Sequence, residues 1–185
     1  LVNSESDFLP GLIIDRFGEK YSVQIFSAGM ELFKKEITEV LDTNFKADLV
    51  IEKNDNEIRT LEGLEKTEGI LFDRSGSEAA KFEVELDGMK INIDLLKGQK
   101  TGYYLDQQEN RTLLRKYIKE GDEVLDLFCN EGGFALNASR AGAEVITAVD
   151  SSDHSIEMAE GNAHLNGIKN IDFKKADVFE LVNEY

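Results

Sequence analysis

Residues 124–134, Val-Leu-Asp-Leu-Phe-Cys-Asn-Glu-Gly-Gly-Phe, combine an apolar strand, an acid and a two-glycine turn that opens a helix. A second apolar strand, 145–149, runs into Asp150. In open α/β sheets a carboxylate at this position binds the ribose of a nucleotide. Gly132 and Gly133 allow backbone N–H groups to approach a ligand closely. The spacing therefore predicts a site for a nucleotide-type cofactor.

The residues alone leave three interpretations of this segment open. A dinucleotide site needs three glycines spaced as G-x-G-x-x-G, whereas 129–134 offers an adjacent pair. Asp126, inside the strand, suits S-adenosylmethionine, because that molecule has a cationic amino-acid end and no pyrophosphate to repel. The third interpretation is a purely structural turn. Of the three, the residue types favour S-adenosylmethionine.

From residue 98 onward, the pattern alternates between strands and helices. The predicted elements are helix 107–119, strand 123–128, helix 133–141, strand 145–149, helix 152–165, strand 171–174 and a helix that begins at Val178. Asp106 is the expected N-cap of the first helix, with Glu109 at the capping-box spacing. Consecutive βα units form a right-handed parallel sheet. Because such sheets usually carry five to seven strands, we expect the chain to be a piece of a longer protein.

The first half has the pattern of a small α+β unit. It predicts a hairpin (12–17 and 21–26), an amphipathic helix (30–41), a strand (48–53) and a second hairpin (82–86 and 89–95), with 54–79 unassigned. We therefore predict a domain over 1–97 and the first half of a Rossmann-like α/β sheet over 98–185.

Composition limits the classes of function. The net charge of −16 repels phosphate backbones, which argues against a nucleic-acid grip by these residues alone. One cysteine and two histidines exclude an internal disulfide and make a metal site unexpected. No long apolar stretch or secretion signal is present in the sequence, so we expect no membrane partner and a cytoplasmic location.

Several segments together resemble a known family. They are LVNSESDFLPGLIIDR (1–16), GQKTGYYLDQQENR (98–111), VLDLFC (124–129), GGFAL (132–136), AVDSS (148–152) and NAHLNG (162–167). In this order they resemble the class I, S-adenosylmethionine-dependent methyltransferases that form 5-methylcytosine in large-subunit (23S) ribosomal RNA. The resemblance implies a Rossmann-like catalytic domain preceded by a central α+β domain, with ribosomal RNA as a partner bound largely through regions outside this chain. A homodimer is one open option.

The resemblance also implies a set of cofactor contacts. They are Thr101, Tyr104, Asp106, Gln107, Asp126, Phe128, Cys129, Gly132, Gly133, Asp150, Ser151, Asp177 and Val178. Asp126 would bind the ammonium group or orient the glycine loop, Asp150 would accept from the ribose hydroxyls, and Asp177 with Val178 would contact adenine.

No catalytic residue is expected in this chain. The family's Asp-Pro-Pro and nucleophilic cysteine motifs would follow it, its RNA-binding PUA domain would precede it, and the fragment alone should be inactive. Cys129 is expected to be a buried apolar residue and not the nucleophile. The chain departs from the family pattern at Gln108 and at Asn130-Glu131.

Other interpretations accompany these assignments. Asp106 could be only a helix cap, and Arg111 could meet a substrate phosphate or a surface glutamate. A group of polar residues on or after the predicted helix 152–165 is expected at the surface or the helix C-cap: His154, His164, Asn162 and Asn166. As alternative functions, the chain could act on another nucleic acid or a small molecule, or could bind without doing chemistry.

Overall fold

The structure, a computed structural model, describes residues 1–76 and 79–182. The chain divides into two compact units, one formed by 1–82 with 93–103 and the other by 83–92 with 104–185. The sequence-based boundary between 97 and 98 stays a prediction, because the observed units exchange short segments on either side of it.

The first unit is built on a mixed five-stranded sheet. Its strands are β1 (Val2–Asn3), β2 (Leu12–Phe17), β3 (Lys20–Ile25), β4 (Leu49–Asn54) and β5 (Thr67–Asp73). They lie in the order β1-β2-β3-β4-β5, and all neighbours are antiparallel except β3 and β4. The predicted hairpin and the strand near residue 50 are confirmed. The sequence pattern missed β5, whose residues are half-buried and do not alternate cleanly.

The predicted helix over 30–41 is interrupted. Two helices, α1 (Ala28–Glu31) and α2 (Lys34–Thr43), stand in its place, and Leu32 and Phe33 between them are 80% and 56% exposed. Leu41 packs in the core instead, against β2 and β3 residues. The apolar spacing therefore predicted the helical conformation but not the buried face. A short helix, α3 (Ile58–Leu61), follows β4.

The second predicted hairpin is confirmed as β6 (Lys81–Leu86) and β7 (Met89–Asp94). Its turn residues Asp87 and Gly88 have φ values of +57° and +71°. Two successive positive φ values match the right-handed twist of the strands, and an Asp-Gly pair tolerates them best.

The second unit carries a parallel three-stranded sheet within the described residues. Its strands are β8 (Glu123–Leu127), β9 (Val145–Asp150) and β10 (Ile171–Lys175), and they lie in the order β10-β9-β8. The helices are α4 (Gln108–Leu114), α5 (Gly133–Ala141), α6 (Asp153–Leu165) and α7 (Val178–Val182). The predicted fold class, an α+β unit followed by a Rossmann-like sheet, is confirmed.

The first helix of this unit differs from its prediction. α4 ends at Leu114 and not at residue 119. Asp106 lies within a 3-10 turn, Leu105–Gln107, and the N-cap position of α4 is Gln107, which makes no side-chain capping bond. The assignment of Asp106 as the N-cap is therefore wrong. By contrast, the helix predicted over 152–165 is confirmed as α6, and Ser152 is its N-cap, with the hydroxyl accepting from the Ser155 N–H.

Among residues 1–76 and 79–182, no helix is both long enough and apolar enough to cross a membrane.

Candidate functional site

The site lies at the carboxyl edge of the parallel sheet. Leu127 at the end of β8 pairs with Val149, and Asp150 at the end of β9 pairs with Lys175. All three strands run in one direction, so the segments that follow them meet at the same edge. In open α/β sheets this edge is where ligands bind.

The loop after β8, residues 128–132, alternates through the left-handed region of backbone conformation. Phe128, Asn130 and Gly132 have φ values of +60°, +48° and +80°. Such values in residues other than glycine each cost about 1–3 kcal/mol and persist only where neighbours enforce them. Here the Cys129 N–H donates to the Val149 carbonyl at 2.9 Å, and the Gly132 N–H donates back to the Cys129 carbonyl at 2.9 Å.

Asp150 accepts hydrogen bonds from the two segments that follow β8 and β9. One carboxylate oxygen accepts from the Asn130 N–H at 2.9 Å and the other from the Ser152 N–H at 3.0 Å. The side chain is 7% exposed. Because each carboxylate oxygen has two acceptor positions, the bonds to the backbone orient Asp150 and still leave it capacity for a ligand. Ser151, next to it, is exposed.

Asp126 reaches from β8 to the start of α5. Its Oδ2 accepts from the N–H of Ala135, the third residue of the helix, at 2.9 Å. Burial raises the pKa of Asp126 to about 6, assisted by the nearby charge of Asp150, although the Ala135 hydrogen bond acts in the opposite direction. This contact ties Asp126 to the first turn of α5, whereas both of its predicted roles, orienting the glycine loop and binding an ammonium group, stay predictions.

Glycine is required at position 132 for two reasons. Its φ lies in the left-handed region, and a Cβ there would lie 3.1 Å from the Cβ of Ala159 on α6. The loop therefore packs directly on α6. Gly133 is the first residue of α5, where the leading N–H groups of a helix have no carbonyl partner within the helix and can bind an anion.

Cys129 is part of the apolar core of the second unit, beside Ala135 and Ile146. Burial raises the pKa of its thiol to about 12, with further contributions from the charges of Asp126 and Asp150. The thiolate is the nucleophilic form of cysteine, so a thiol with this pKa is inert at neutral pH. The interpretation of Cys129 as a buried apolar residue agrees with this environment.

Asp177 follows β10 and caps α7. Its Oδ1 accepts from the N–H groups of Phe179 at 2.8 Å and Glu180 at 3.1 Å. Val178 is buried. Phe179 forms an edge-to-face pair with Phe128, with ring centroids 5.8 Å apart. Phe179 was not among the predicted site residues, because a single aromatic residue in a predicted helix cannot be told from a core residue by sequence.

The predicted residues before the sheet are distributed over both units. Thr101 belongs to the first unit, where its buried hydroxyl donates to Asp15. Tyr104, Asp106 and Gln107 belong to the second unit, and the Gln107 side chain accepts from Asn110 at 2.9 Å. The contacts of these four residues with a cofactor stay predictions.

Two residues have partners that the sequence did not indicate. Arg111 is 2% exposed, and its Nε donates to Asp87 Oδ2 at 2.8 Å, a partner that was not among the predicted ones. Asn162 is fully buried, which contradicts its predicted place at the surface. A polar residue on a helix face reads as solvent-exposed unless its tertiary partner is known.

The other polar residues on or after α6 differ in how exposed they are and in what they contact. His164 is exposed, whereas His154 is partly buried. The Asn166 side chain is bonded to the backbone of Lys90. Asn166 is the C-cap residue of α6, and Gly167, which follows it, has a φ of +68°.

Two of the residues that depart from the family pattern lie in the loop. Asn130 Oδ1 accepts from the Ser155 hydroxyl at 3.2 Å, and Glu131 is 2% exposed. Gln108 is exposed at the start of α4. Among the described residues, no three His, Cys, Asp or Glu side chains are grouped so that they could bind a metal ion.

Comparison with protein families and curated proteins gives a consistent result. Residues 118–185 match the model of a family described as "Methyltransferase domain". The chain is 41% identical over 187 residues to the ribosomal RNA large subunit methyltransferase I of Aeromonas hydrophila and 41% identical over 188 residues to that of Photobacterium profundum. Both alignments cover the whole chain but only 47% and 46% of the relatives.

Solved structures show the same fold at lower identity. A putative SAM-dependent methyltransferase from Streptococcus mutans superposes with a TM-score of 0.82 at 23% identity, over 98% of this chain and 46% of that one. The putative methyltransferase SMU.776, complexed with SAH, gives a TM-score of 0.83 at 22% identity, over 99% and 46%. The M. jannaschii tRNA m1G37 methyltransferase gives 0.71 at 22%, over 92% and 50%. The chain thus spans about half the length of the proteins it resembles and shares the methyltransferase fold with them.

Proposed function

We propose that this chain carries the cofactor site of an S-adenosylmethionine-dependent methyltransferase that acts on large-subunit ribosomal RNA. The observation that carries the proposal is the left-handed loop 128–132 at the carboxyl edge of a parallel sheet, where Asp150 accepts from the Asn130 N–H of the loop and Asp126 accepts from the Ala135 N–H at the start of α5. The names of the curated relatives, 41% identical over the whole chain, support the reaction and the substrate class.

The residues of the site fit this cofactor chemically. The N–H groups at the start of α5 suit the cofactor's carboxylate, Asp126 suits its ammonium group, and Asp150 suits the two hydroxyls of its ribose. Asp177 and the backbone of Val178 would contact adenine. When bound, S-adenosylmethionine supplies an electrophilic methyl group, and the residues of this chain bind and orient the molecule.

A dinucleotide fits this site poorly. The charge of Asp150 contributes to the raised pKa of Asp126, and the charges of both carboxylates contribute to the raised pKa of Cys129, so the two acids lie close together. In the described part of the chain, neither forms an ion pair with a lysine or arginine. A pyrophosphate placed here would meet two negative charges, whereas a cationic amino acid would be attracted by them.

For the target atom we propose carbon 5 of a cytosine. That carbon is a weak nucleophile, so its methylation requires a thiolate that adds to the base and a group that later removes a proton. Cys129, with a pKa of about 12 and a place in the core, does not supply that thiolate. We therefore assign cofactor binding to this chain and assign none of its residues a catalytic role. We also propose that 1–97 is a central domain that faces the RNA.

Calorimetry with S-adenosylhomocysteine tests the cofactor assignment. We expect Asp150→Asn to weaken binding at least about tenfold, because an amide accepts fewer hydrogen bonds from the ribose hydroxyls than a carboxylate does. The asparagine oxygen can still accept one backbone N–H, which limits the structural change. Asp172→Asn, on β10, is a matched control because Asp172 is exposed and pairs with Lys174 at 3.3 Å. Undiminished binding by Asp150→Asn would remove Asp150 from the site.

A labelled-methyl assay tests the substrate. The native protein that contains this chain is incubated with labelled S-adenosylmethionine and with ribosomal RNA from cells that lack the protein, and the product is digested to nucleosides. We expect label in 5-methylcytosine of the large-subunit RNA. Label in another nucleoside would support a methyltransferase activity but overturn the assignment of cytosine as the target base. The absence of label from RNA would overturn the proposal that the substrate is RNA.

A further inference from the structure

The turn of the β6–β7 hairpin is held by three arginines of the second unit. Arg111 Nε donates to the Asp87 carboxylate at 2.8 Å, and Arg115 Nη2 donates to the Asp87 carbonyl at 2.8 Å. Arg140 donates to the Gly88 carbonyl. The Arg111 and Asp87 side chains are 3% and 2% exposed. This part of the hairpin is therefore fixed on α4, on its C-cap residue Arg115 and on α5, and the Arg111–Asp87 contact among these is buried.

The free edge of β7 is held by two asparagines of α6. The Asn166 side chain accepts from the Lys90 N–H at 3.0 Å and donates to the Lys90 carbonyl at 2.7 Å. Asn162 Oδ1 accepts from the Asn92 N–H at 2.8 Å. Residues four apart on a helix share a face, and residues two apart on a strand point their backbone groups to one side. The amides thus bind the hairpin edge as a neighbouring strand would.

Asn162 makes a second contact that Asn166 lacks. Its Nδ2 donates to the carbonyl of Glu131, within loop 128–132, at 3.0 Å, and this bond is buried. The same helix contacts the loop again one turn earlier, where Ala159 lies against Gly132. The fully buried side-chain amide of Asn162 therefore joins loop 128–132 to the edge of the hairpin.

We propose that Asn162 is a positioning residue for the cofactor loop: it ties the Glu131 carbonyl to the β7 backbone and so sets the conformation of residues 128–132. An amide is required, because the position needs an acceptor on one side and a donor on the other, and asparagine supplies both at this length. Without the donor, the Glu131 carbonyl loses this buried hydrogen bond, and the loop is destabilised. The positive φ values of Phe128 and Asn130 then have less to hold them.

The test compares Asn162→Ala with Asn166→Ala. Asn162→Ala loses one hydrogen bond to the hairpin edge and Asn166→Ala loses two, but only Asn162→Ala also loses the bond to the loop. The first measurement is amide hydrogen exchange of segments 86–92 and 128–134 in the ligand-free protein. The second is the dissociation constant of S-adenosylhomocysteine, and only this second part rests on the proposed function.

We expect faster exchange of 86–92 in both variants. Exchange of 128–134 should become at least about tenfold faster in Asn162→Ala alone, and the dissociation constant should rise at least about tenfold in that variant alone. Unchanged loop exchange in Asn162→Ala, or equal loop exchange in both variants, would overturn the proposal. If the wild type binds no S-adenosylhomocysteine, the proposed function fails, while the exchange comparison still decides the role of Asn162.

A third variant covers the case in which Asn162→Ala does not fold. Asn162→Asp keeps the acceptor for the Asn92 N–H and, when ionised, lacks the donor to Glu131. Protonation at low pH restores an O–H donor, so loop exchange measured relative to the wild type should slow again as the pH falls. A purely structural role would not give this recovery, and its absence would count against the positioning role.

Discussion

Two regions of the second unit bury aspartates, and they compensate the charge in different ways. At the hairpin turn, Asp87 is 2% exposed and lies 2.8 Å from the Arg111 guanidinium. At the carboxyl edge of the sheet, Asp126 and Asp150 accept hydrogen bonds from backbone N–H groups. In the part of the chain that the structure describes, neither of these two is paired with a lysine or arginine.

The difference separates an acid whose charge is neutralised by an arginine from two acids whose charges are met only by backbone N–H groups in the described residues. The charge of Asp87 is neutralised within the fold, so Asp87 can stabilise the hairpin but can attract little else. Backbone N–H groups carry only partial charges, so Asp126 and Asp150 retain negative potential at the edge of the sheet. The raised pKa of Asp126 reflects the free energy of keeping that charge partly buried. A cationic ligand would relieve it.

The largest effect on the free energy of unfolding is expected when the buried ion pair between Arg111 and Asp87 is broken. Arg111→Ala leaves the Asp87 carboxylate buried without its cation and should lower the free energy of unfolding by about 3–5 kcal/mol. Urea denaturation measures this value. Lys174→Ala, which removes the cation of the exposed Asp172 pair, is the control and should cost less than about 1 kcal/mol. Equal losses in the two variants would contradict the contrast between the regions.

Asp126, whose charge is not paired with a lysine or arginine in the described residues, should make the free energy of unfolding depend on pH. Below about pH 4, Asp126 is neutral in both the folded and the unfolded state. Between about pH 4 and its folded pKa of about 6, the unfolded state is ionised first, so the free energy of unfolding falls as the pH rises. The decline should total about 2–3 kcal/mol and level off above pH 6.

Asp126→Asn isolates this contribution. The asparagine can still accept from the Ala135 N–H but does not titrate, so the difference in unfolding free energy between wild type and variant should change only across this pH range. Affinity of the wild type for S-adenosylhomocysteine should rise as the pH passes upward through about 6, because the ionised carboxylate binds the ammonium group. If the difference in unfolding free energy between wild type and Asp126→Asn did not vary with pH, the pKa of Asp126 would not be raised in the folded state.

The smallest effect is expected at Asp177, an exposed acid of the same edge. Asp177→Ala removes the acceptor for two N–H groups of α7 and should cost about 1 kcal/mol. Asp177→Ser retains a capping oxygen and should recover most of the stability. If Asp177 also contacts adenine, Asp177→Ser should bind S-adenosylhomocysteine more weakly than the wild type despite that recovery. Wild-type affinity in Asp177→Ser would restrict Asp177 to capping.

The parallel sheet was predictable because its signals are local. Gly132 and Gly142 flank α5, and both adopt positive φ values, so the helix has the predicted bounds. The strands that become β8 and β9 are short, largely apolar runs whose ends are marked by polar or turn residues, and β10 begins with alternating apolar and polar residues. Asp126 and Asp150 were identified for the same reason, since each stands at a fixed distance from a strand end.

The sequence did not predict the surroundings of residues whose contacts lie far along the chain. Asn162 reads as a surface residue of a helix until β7 and the loop after β8 are placed against it, 70 and 31 residues away in sequence. Arg111 meets Asp87, 24 residues earlier. In the first unit, Leu32 and Leu41 have the same apolar character, yet one is 80% exposed and the other 2%.

Composition and spacing along the chain were sufficient to identify the strand ends, the glycine turn and the acids beside it, because backbone conformation there depends on neighbouring residues. The choice of partner for each buried polar group required the folded chain. Hydrogen bonds and ion pairs are short-ranged and directional, so whether Asp87 is neutralised and Asp126 is not depends on which elements pack around each of them.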